Sequence, residues 1–412
     1  LPTAAVFAAR RMPVIGVDVN AEAVETINSG GVHIVEPELD IAVHTAVHEG
    51  YLRATTTAEP ADAYLIAVPT PFITDEQGRA RTADLQYIRA ASEAIAPLLK
   101  PGDLIVLEST SPVGATEEMA RWLAEANPDL TFPQTHGEDS DIRIAHCPER
   151  VLPGHVIREL VENDRVIGGM TPRCAERARE LYRLVVEGEL VTTTARTAEM
   201  AKLTENSFRD VNIAFANELS TICHELDINV WELIELANRH PRVNILKPGA
   251  GVGGHCIAVD PWFIVDACPE RAHLIRTARE VNDAKPDWVL EQVQKALDQH
   301  HRQHPEKPRC DLTVACLGIA FKPDIDDLRE SPALEIAEKV VEQGCRVQVV
   351  EPNIDELPLE LRAENAELAT SEQRVAEADV LCILVRHQPF NEHASALRER
   401  SSVIDAVGLL HI

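Results

Sequence analysis

The sequence predicts an α/β chain in which two doubly wound, parallel-sheet domains are joined by a central helical domain with a long helix. Three observations carry this. Short β-branched runs alternate with helical segments up to about residue 192, and one long amphipathic helix then runs from Thr197 to about Leu226. After a polar, proline-bearing stretch from His300 to Pro308, read as a linker, the alternation of strand and helix resumes. The domains expected are therefore 1–192, 193–300 and 308–412.

Composition sets the outer bounds. A chain of 412 residues is too long for one ordinary core, and 45% hydrophobic with 26% charged residues describes a globular protein. No apolar run reaches the roughly 18 to 20 residues of a membrane span. Leu1–Ala9 is apolar but lacks a basic leader, and reads as a helix. A net charge of −28 argues against nucleic acid and against anionic membrane surfaces as partners. An anionic ligand has to be met by locally placed Arg and Lys. The nine cysteines form no CxxC pair and no Cys/His cluster at zinc spacing, which points to a reducing, cytoplasmic setting and no structural metal.

In the first domain, Val14–Val19 reads as a strand and Asn20 as the cap of the next helix. An acidic residue ending the second strand of a βαβ unit holds ribose hydroxyls and repels a 2′-phosphate, so Asp18 favours NAD over NADP. Further strands are expected at 63–68, 104–107, 142–146 and 165–167. Ligands of such sheets bind beyond the carboxyl ends of strands, where this chain places Thr70, Glu108-Ser109-Thr110 and Glu149-Arg150. Each of these also fits plain turn chemistry, but together they line one edge.

On the long helix Met200, Leu203, Val211, Phe215, Leu219 and Ile222 form an apolar stripe, while Lys202, Asn206, Arg209 and Asp210 fall on another face. That polar face is either solvated or aimed at a site. Asn238-Arg239-His240-Pro241-Arg242 then supplies cations on the way to Gly251-Val252-Gly253-Gly254-His255-Cys256. Three glycines in four residues allow close approach of a ligand, and Asp260-Pro261 reads as the N-cap and first residue of a helix. Cys256 thus stands in a tight loop before a helix start, where its thiolate is favoured and a nucleophile could be presented; the alternative is a buried structural thiol. In the last domain, 312–317, 346–350, 380–385 and 403–404 read as strands, and Ser331-Pro332 caps a helix that stops at Gly344. Lys322 and Arg329 fall at that domain's ligand edge.

These pieces together resemble the UDP-glucose/GDP-mannose dehydrogenase family over essentially the whole chain. The stretches that carry the resemblance are His33-Ile34-Val35-Glu36-Pro37, Glu108-Ser109-Thr110-Ser111-Pro112-Val113-Gly114, Cys147-Pro148-Glu149-Arg150-Val151-Leu152-Pro153-Gly154, Lys202-Leu203-Thr204-Glu205-Asn206-Ser207-Phe208-Arg209-Asp210, the Cys256 loop, Phe321-Lys322-Pro323 and Leu328-Arg329-Glu330-Ser331. The resemblance implies Rossmann-like outer domains, an N-terminal one for NAD and a C-terminal one for the nucleotide sugar, with a homodimer formed through the central long helix. It implies oxidation of a UDP-sugar at C6 to a carboxylate in two hydride transfers to NAD, in the service of surface-polysaccharide synthesis. The sugar it favours is UDP-N-acetyl-D-mannosamine, with UDP-N-acetylglucosamine as the alternative.

The same resemblance implies residue roles. Cys256 is the nucleophile that captures the aldehyde, Lys202 acts on the substrate oxygen, Asn206 and Asp260 serve the hydrolytic water, and Thr110 and Glu149 assist. Arg150, Val151, Arg209, His240, Arg242, Gly253 and Lys322 would bind substrate; Asp18, Thr70, Thr110 and Arg329 would contact the cofactor. One departure is that the family's first strand and G-x-G-x-x-G loop have no counterpart, since Leu1 begins where that loop should just have ended. Either the natural chain extends upstream, or the protein is an inactive nucleotide-sugar-binding remnant. A β-hydroxyacid dehydrogenase is a further competitor, because it also uses a Lys and an Asn four apart on a long helix but needs no cysteine.

Overall fold

The structure, a computed structural model, describes residues 1–32, 36–73, 82–151, 154–254, 256–362, 365–369, 377–400 and 402–411. His33, Ile34, Val35, Leu152, Pro153 and His255, which belong to the family-like stretches, lie outside the described residues. The chain divides into two compact units, Leu1–Glu205 and Asn206–Ile412.

The first unit opens with α1 (Pro2–Ala9), β1 (Val14–Val17), α2 (Ala21–Asn28), α3 (Leu39–His48) and β2 (Leu52–Thr55). β1 and β2 pair in parallel, Val14 opposite Leu52. Asn20 caps α2 as expected, its side chain accepting from the N–H groups of Glu22 and Ala23. Then follow β3 (Ala63–Ile66), a short antiparallel pair β4 (Phe72–Ile73) and β5 (Thr82–Ala83), α4 (Gln86–Ile95), β6 (Leu104–Leu107), α5 (Ala115–Ala126), α6 (Pro133–His136), β7 (Arg143–His146), α7 (Val156–Glu162), β8 (Arg165–Gly169), α8 (Pro172–Tyr182) and β9 (Leu190–Thr194).

The main sheet runs β3-β6-β7-β8-β9. β3, β6 and β7 are parallel as predicted, but β8 reverses against β7, and β9 runs parallel to β8. β6 shows why its sequence is apolar at every position. Ile105 and Leu107 meet Ile88, Met119 and Leu123 on one face, while Leu104 and Val106 meet Leu160, Ile167 and Tyr182 on the other. Successive side chains of a strand point to opposite faces, so a strand covered on both sides must be apolar throughout.

Helix α9 (Ala195–Glu225) is the predicted long helix, 31 residues in length. The second unit takes it up from Asn206 and continues with α10 (Val230–Ala237), α11 (Asp260–Ala267) and α12 (His273–Gln303). Its Rossmann-like part comprises β10 (Thr313–Leu317), α13 (Pro332–Glu342), β11 (Arg346–Val350), β12 (Ala366–Leu368), β13 (Val380–Ile383), α14 (Ala394–Arg398) and β14 (Val403–Asp405). The sheet order β12-β11-β10-β13-β14 is parallel throughout, with the first strand central. Val314 and Cys316 of β10 pack on Val289, Val293 and Leu297 of α12 and on Ile336 and Val340 of α13; Ala315 and Leu317 face Phe390, Leu397 and Leu409.

Two further expectations are adjusted. The linker read from His300 to Pro308 starts later, because α12 continues to Gln303, its last turn carrying His300, His301 and Arg302 where basic groups complement the helix dipole. Asp260 is the first helical residue of α11 rather than its cap, and its carboxylate accepts from the Asn206 side chain. Along the apolar stripe of α9, Leu203 is buried, while Phe215 is 52% and Ile222 46% exposed.

Candidate active site

In the first unit the carboxyl ends of β3 and β6 are stitched together. The Ser109 hydroxyl accepts from the Val68 N–H at 2.8 Å and donates to the Val68 carbonyl at 2.7 Å. The Thr70 hydroxyl donates to the Thr110 carbonyl, bringing two residues of the expected cofactor edge side by side. Asp18 follows β1 directly, half-buried, with Oδ1 accepting the Asn20 N–H at 2.9 Å. This turn holds a carboxylate at the strand's carboxyl edge, a placement that suits ribose hydroxyls and opposes a 2′-phosphate.

Beyond β7, Glu149 Oε1 accepts the N–H of Arg150 at 2.8 Å and Oε2 lies 3.3 Å from Arg165 Nη2. Arg165 is almost fully buried and sits 5.4 Å from the ring centre of Tyr182, whose hydroxyl donates to Glu108 at 2.5 Å. Burial pushes the Glu108 carboxyl up, and the Tyr182 hydrogen bond and Arg165 work against it. Neither Tyr182 nor Arg165 was read from the sequence as part of this edge. Their only local signals are a polar atom at the end of an apolar helix face and a cation opening a strand. Arg150 pairs with Glu205 at 2.6 Å. Val151 packs partly buried against the β6 to β8 core face rather than standing clear of it. Lys202 is half-buried on α9 and makes no ion pair with a described residue of its own unit.

In the second unit the side chains gather around the glycine loop. Asn206 donates from Nδ2 to Asp260 Oδ2 at 2.5 Å, and Asp260 is only 3% exposed. The Cys256 carbonyl accepts from the N–H groups of Val259 and Asp260 at 3.1 and 2.8 Å, so the same turn fixes both the cysteine and the carboxylate. Cys256 itself is exposed. By contrast, burial pushes the Cys147 and Cys316 thiols up to about 12, which leaves them inert near neutrality. The Arg329 guanidinium, gripped by Asp327 at 2.6 Å, lies close enough to Cys256 for the two charges to act on each other. A cation near an exposed thiol favours its thiolate.

Gly253 leaves no room for a side chain, since a Cβ there would lie 2.2 Å from the Glu330 carbonyl oxygen. This loop is therefore laid directly on the 318–331 segment that carries Lys322 and Arg329. Lys322 is half-buried, while Arg209, His240 and Arg242 are exposed. Asp210 is turned away from this cluster: it is fully buried and paired with Arg279 of α12 at 2.6 Å. Among the described residues no group of three or more His, Cys, Asp or Glu side chains could hold a metal ion, and no helix is long and apolar enough to cross a membrane.

Residues 1–186 match the NAD binding domain of the UDP-glucose/GDP-mannose dehydrogenase family, 196–284 its central domain and 315–411 its UDP binding domain. An NDP-N-acetyl-D-galactosaminuronic acid dehydrogenase of Ralstonia nicotianae is 61% identical over 410 residues, 99% of this chain and 93% of the relative. A UDP-N-acetyl-D-mannosamine dehydrogenase of Escherichia coli is 60% identical over 410 residues, 99% of this chain and 96% of the relative. The solved structure of the UDP-D-ManNAc dehydrogenase from Pyrococcus horikoshii superposes with a TM-score of 0.85 at 36% identity, covering 99% of this chain and 93% of that one. With its NAD binding, central and UDP binding domains all matched, the chain belongs to the UDP-glucose/GDP-mannose dehydrogenase family.

Proposed function

We propose that this protein oxidises the C6 alcohol of UDP-N-acetyl-D-mannosamine to the carboxylate in two steps, with Cys256 as a covalent catalyst. The observation that carries this reading is the turn that joins an exposed Cys256 to the buried Asp260–Asn206 pair, with Arg329 near enough for its charge and that of Cys256 to act on each other. NAD, when bound, accepts the hydride in each oxidation. Asp18, Thr70 and Thr110 would hold it, and the 1–192 domain would be its seat, with 193–300 central and 308–412 holding the UDP moiety.

The chain's own groups account for the rest. The C6–H of an aldehyde cannot depart as a second hydride until a nucleophile adds to the carbonyl and leaves an oxygen whose electrons re-form the C=O bond. The Cys256 thiolate forms the C–S bond of a thiohemiacetal, and oxidation of that adduct leaves a thioester. Water then cleaves the C–S bond, releasing the carboxylate and returning the thiol. Lys202 serves the substrate oxygen, as proton carrier or as a cation beside the developing oxyanion. Asp260, oriented by Asn206, takes the proton of the attacking water, with Glu149 and Thr110 assisting. The UDP diphosphate of a strongly acidic protein has to be met by placed cations, and Arg150, Arg209, His240, Arg242 and Lys322 fill that need beside Val151 and Gly253.

The trapped intermediate tests this route. Asp260→Asn or Asn206→Ala, acid-quenched during turnover, should accumulate a uronyl adduct on the Cys256 peptide, with turnover slowed by about 100-fold or more. An unmodified Cys256 peptide in both slowed variants contradicts it.

A second reading of the sugar has its own support, because the Ralstonia nicotianae relative, at 61% identity, is named for a galactosaminuronic acid. Initial rates on the manno, gluco and galacto forms of UDP-N-acetylhexosamine decide between them. A homodimer through α9 is supported by Phe208, Phe215 and Ile222, which stand 46 to 70% exposed along it, with Leu226 exposed just past its end. The absence of disulfides among the cysteines fits a cytoplasmic setting.

A further inference from the structure

Behind the 318–331 segment lies a buried acid–imidazole pair that the reaction above does not use. Glu351, just past β11, and His387 have fully buried side chains 3.0 Å apart, Nε2 to Oε2. Glu351 Oε2 also accepts the backbone N–H groups of Ile319 and Ala320 at 2.8 and 3.1 Å, and Oε1 accepts from the Asn353 side chain at 3.1 Å. The backbone N–H of Asp324 donates to His387 Nδ1 at 2.9 Å. A backbone N–H can only donate, so Nδ1 must be the bare nitrogen; the proton sits on Nε2 and points at Glu351. The pair is thus a carboxylate and a neutral imidazole, and each end grips the backbone of one loop, at Ile319–Ala320 and at Asp324. Burial pushes the Glu351 carboxyl up, but the bonds from His387, Ile319 and Ala320 outweigh it and hold the group below its ordinary value.

Between those two grips stand Phe321 and Lys322. The Phe321 ring lies against the glycine loop: a Cβ on Gly254 would come within 3.0 Å of ring atom Cε2, and one on Gly253 within 3.0 Å of the Phe321 Cβ. Gly254 takes φ +80°, open to glycine at no cost, and Cys256 follows two residues on. Ser331, at the far end of the segment, donates from its hydroxyl to the Ile319 carbonyl at 2.7 Å and closes the frame that includes Arg329. A chain of direct contacts therefore runs from the buried pair to the cysteine loop and to the cation beside it.

We propose that Glu351 and His387 are positioning residues for the nucleophile, setting the place of the Cys256 loop relative to Arg329 through the Ile319–Ala320 backbone and the Phe321 ring. This rests on the reading of Cys256 as nucleophile, and its test needs neither substrate nor cofactor. The measurement is the pH profile of iodoacetamide alkylation, resolved by mass spectrometry at Cys256, with the exposed Cys268 as internal control. Glu351→Gln turns donors toward donors at Asn353 or at the loop, and Phe321→Ala removes the ring from Gly254. Each should raise the midpoint of the Cys256 profile by about half a unit or more, roughly a threefold loss of rate below it, as the thiolate loses its cation. Cys268 should not change. Because both substitutions break one chain of contacts, the double variant should shift no further than the larger single one. Phe321→Leu, which keeps apolar contact with Gly254, should stay closer to wild type than Phe321→Ala. If Glu351→Gln does not fold, His387→Ala takes its place with the same expectation. An unshifted Cys256 midpoint in the folded variants, or a double variant whose shift equals the sum of the singles, overturns the proposal. Failure of the nucleophile reading itself would be seen separately, as full oxidation by Cys256→Ala.

Discussion

Replacing Lys285 by Met should stabilise the protein at low pH and destabilise it slightly at high pH. Lys285 lies on α12, 3% exposed, with Nζ donating to Ser220 Oγ at 2.6 Å and lying 3.8 Å from the Trp288 ring centre. It borders a cavity of about 420 Å³ that also carries His224, Asp227, Trp231 and Asp405. Burial alone drives its amine down from 10.5 to about 7. Between those values the unfolded chain holds a proton that the folded chain lacks, so stability climbs with pH by up to about 1.4 kcal/mol per unit. Below pH 7 the folded state carries the whole cost of burying the ammonium, about 5 kcal/mol for the shift given. Methionine removes that cost and loses the Ser220 hydrogen bond, worth about 1 kcal/mol. Lys285→Met should therefore be about 4 kcal/mol more stable at pH 6, about 2 kcal/mol more stable at pH 8 and near parity by pH 10, falling about 1 kcal/mol below wild type only once the unfolded chain has also lost its proton. Denaturant unfolding at pH 6, 8 and 10 reads the difference. A variant no more stable than wild type at pH 6, or a difference that does not change with pH, refutes the reasoning.

Arg279→Met strands the buried Asp210 carboxylate that Arg279 neutralises at 2.6 Å, and should cost about 3 to 5 kcal/mol at pH 8. Asp210 is already raised by burial, with Arg279 opposing the rise, so part of that loss should be recovered in denaturant melts toward pH 5 as the variant's Asp210 takes up a proton. Phe215→Glu, placed in the middle of the exposed α9 stripe, should convert a dimer to a monomer by light scattering without altering the helix content. An unchanged mass would remove α9 from the interface.

What the sequence made legible was what neighbours along the chain decide. The Asn20 cap, the Ser331-Pro332 helix start, the left-handed Gly344 that ends α13 and the β-branched strands of both sheets all rest on residues a few positions apart. Pairing across long separations was not legible. Nothing local says that β8 reverses against β7, that Tyr182 reaches Glu108, or that His387 answers Glu351. The α9 stripe was legible as apolar but not as outward-facing, since periodicity shows a face without showing what covers it. At the site, the Cys256 turn could be read from its glycines and the following Asp-Pro. The bond from Asn206 to the Asp260 carboxylate spans 54 residues and could not.

The central claim is that Cys256 makes a second oxidation possible. The most direct measurement is an end-point count of NADH formed per UDP-N-acetyl-D-mannosamine consumed, for the enzyme and for Cys256→Ala. The account predicts two NADH per sugar from the enzyme and no full oxidation by the variant. One NADH per sugar from the enzyme, or two from Cys256→Ala, would contradict it.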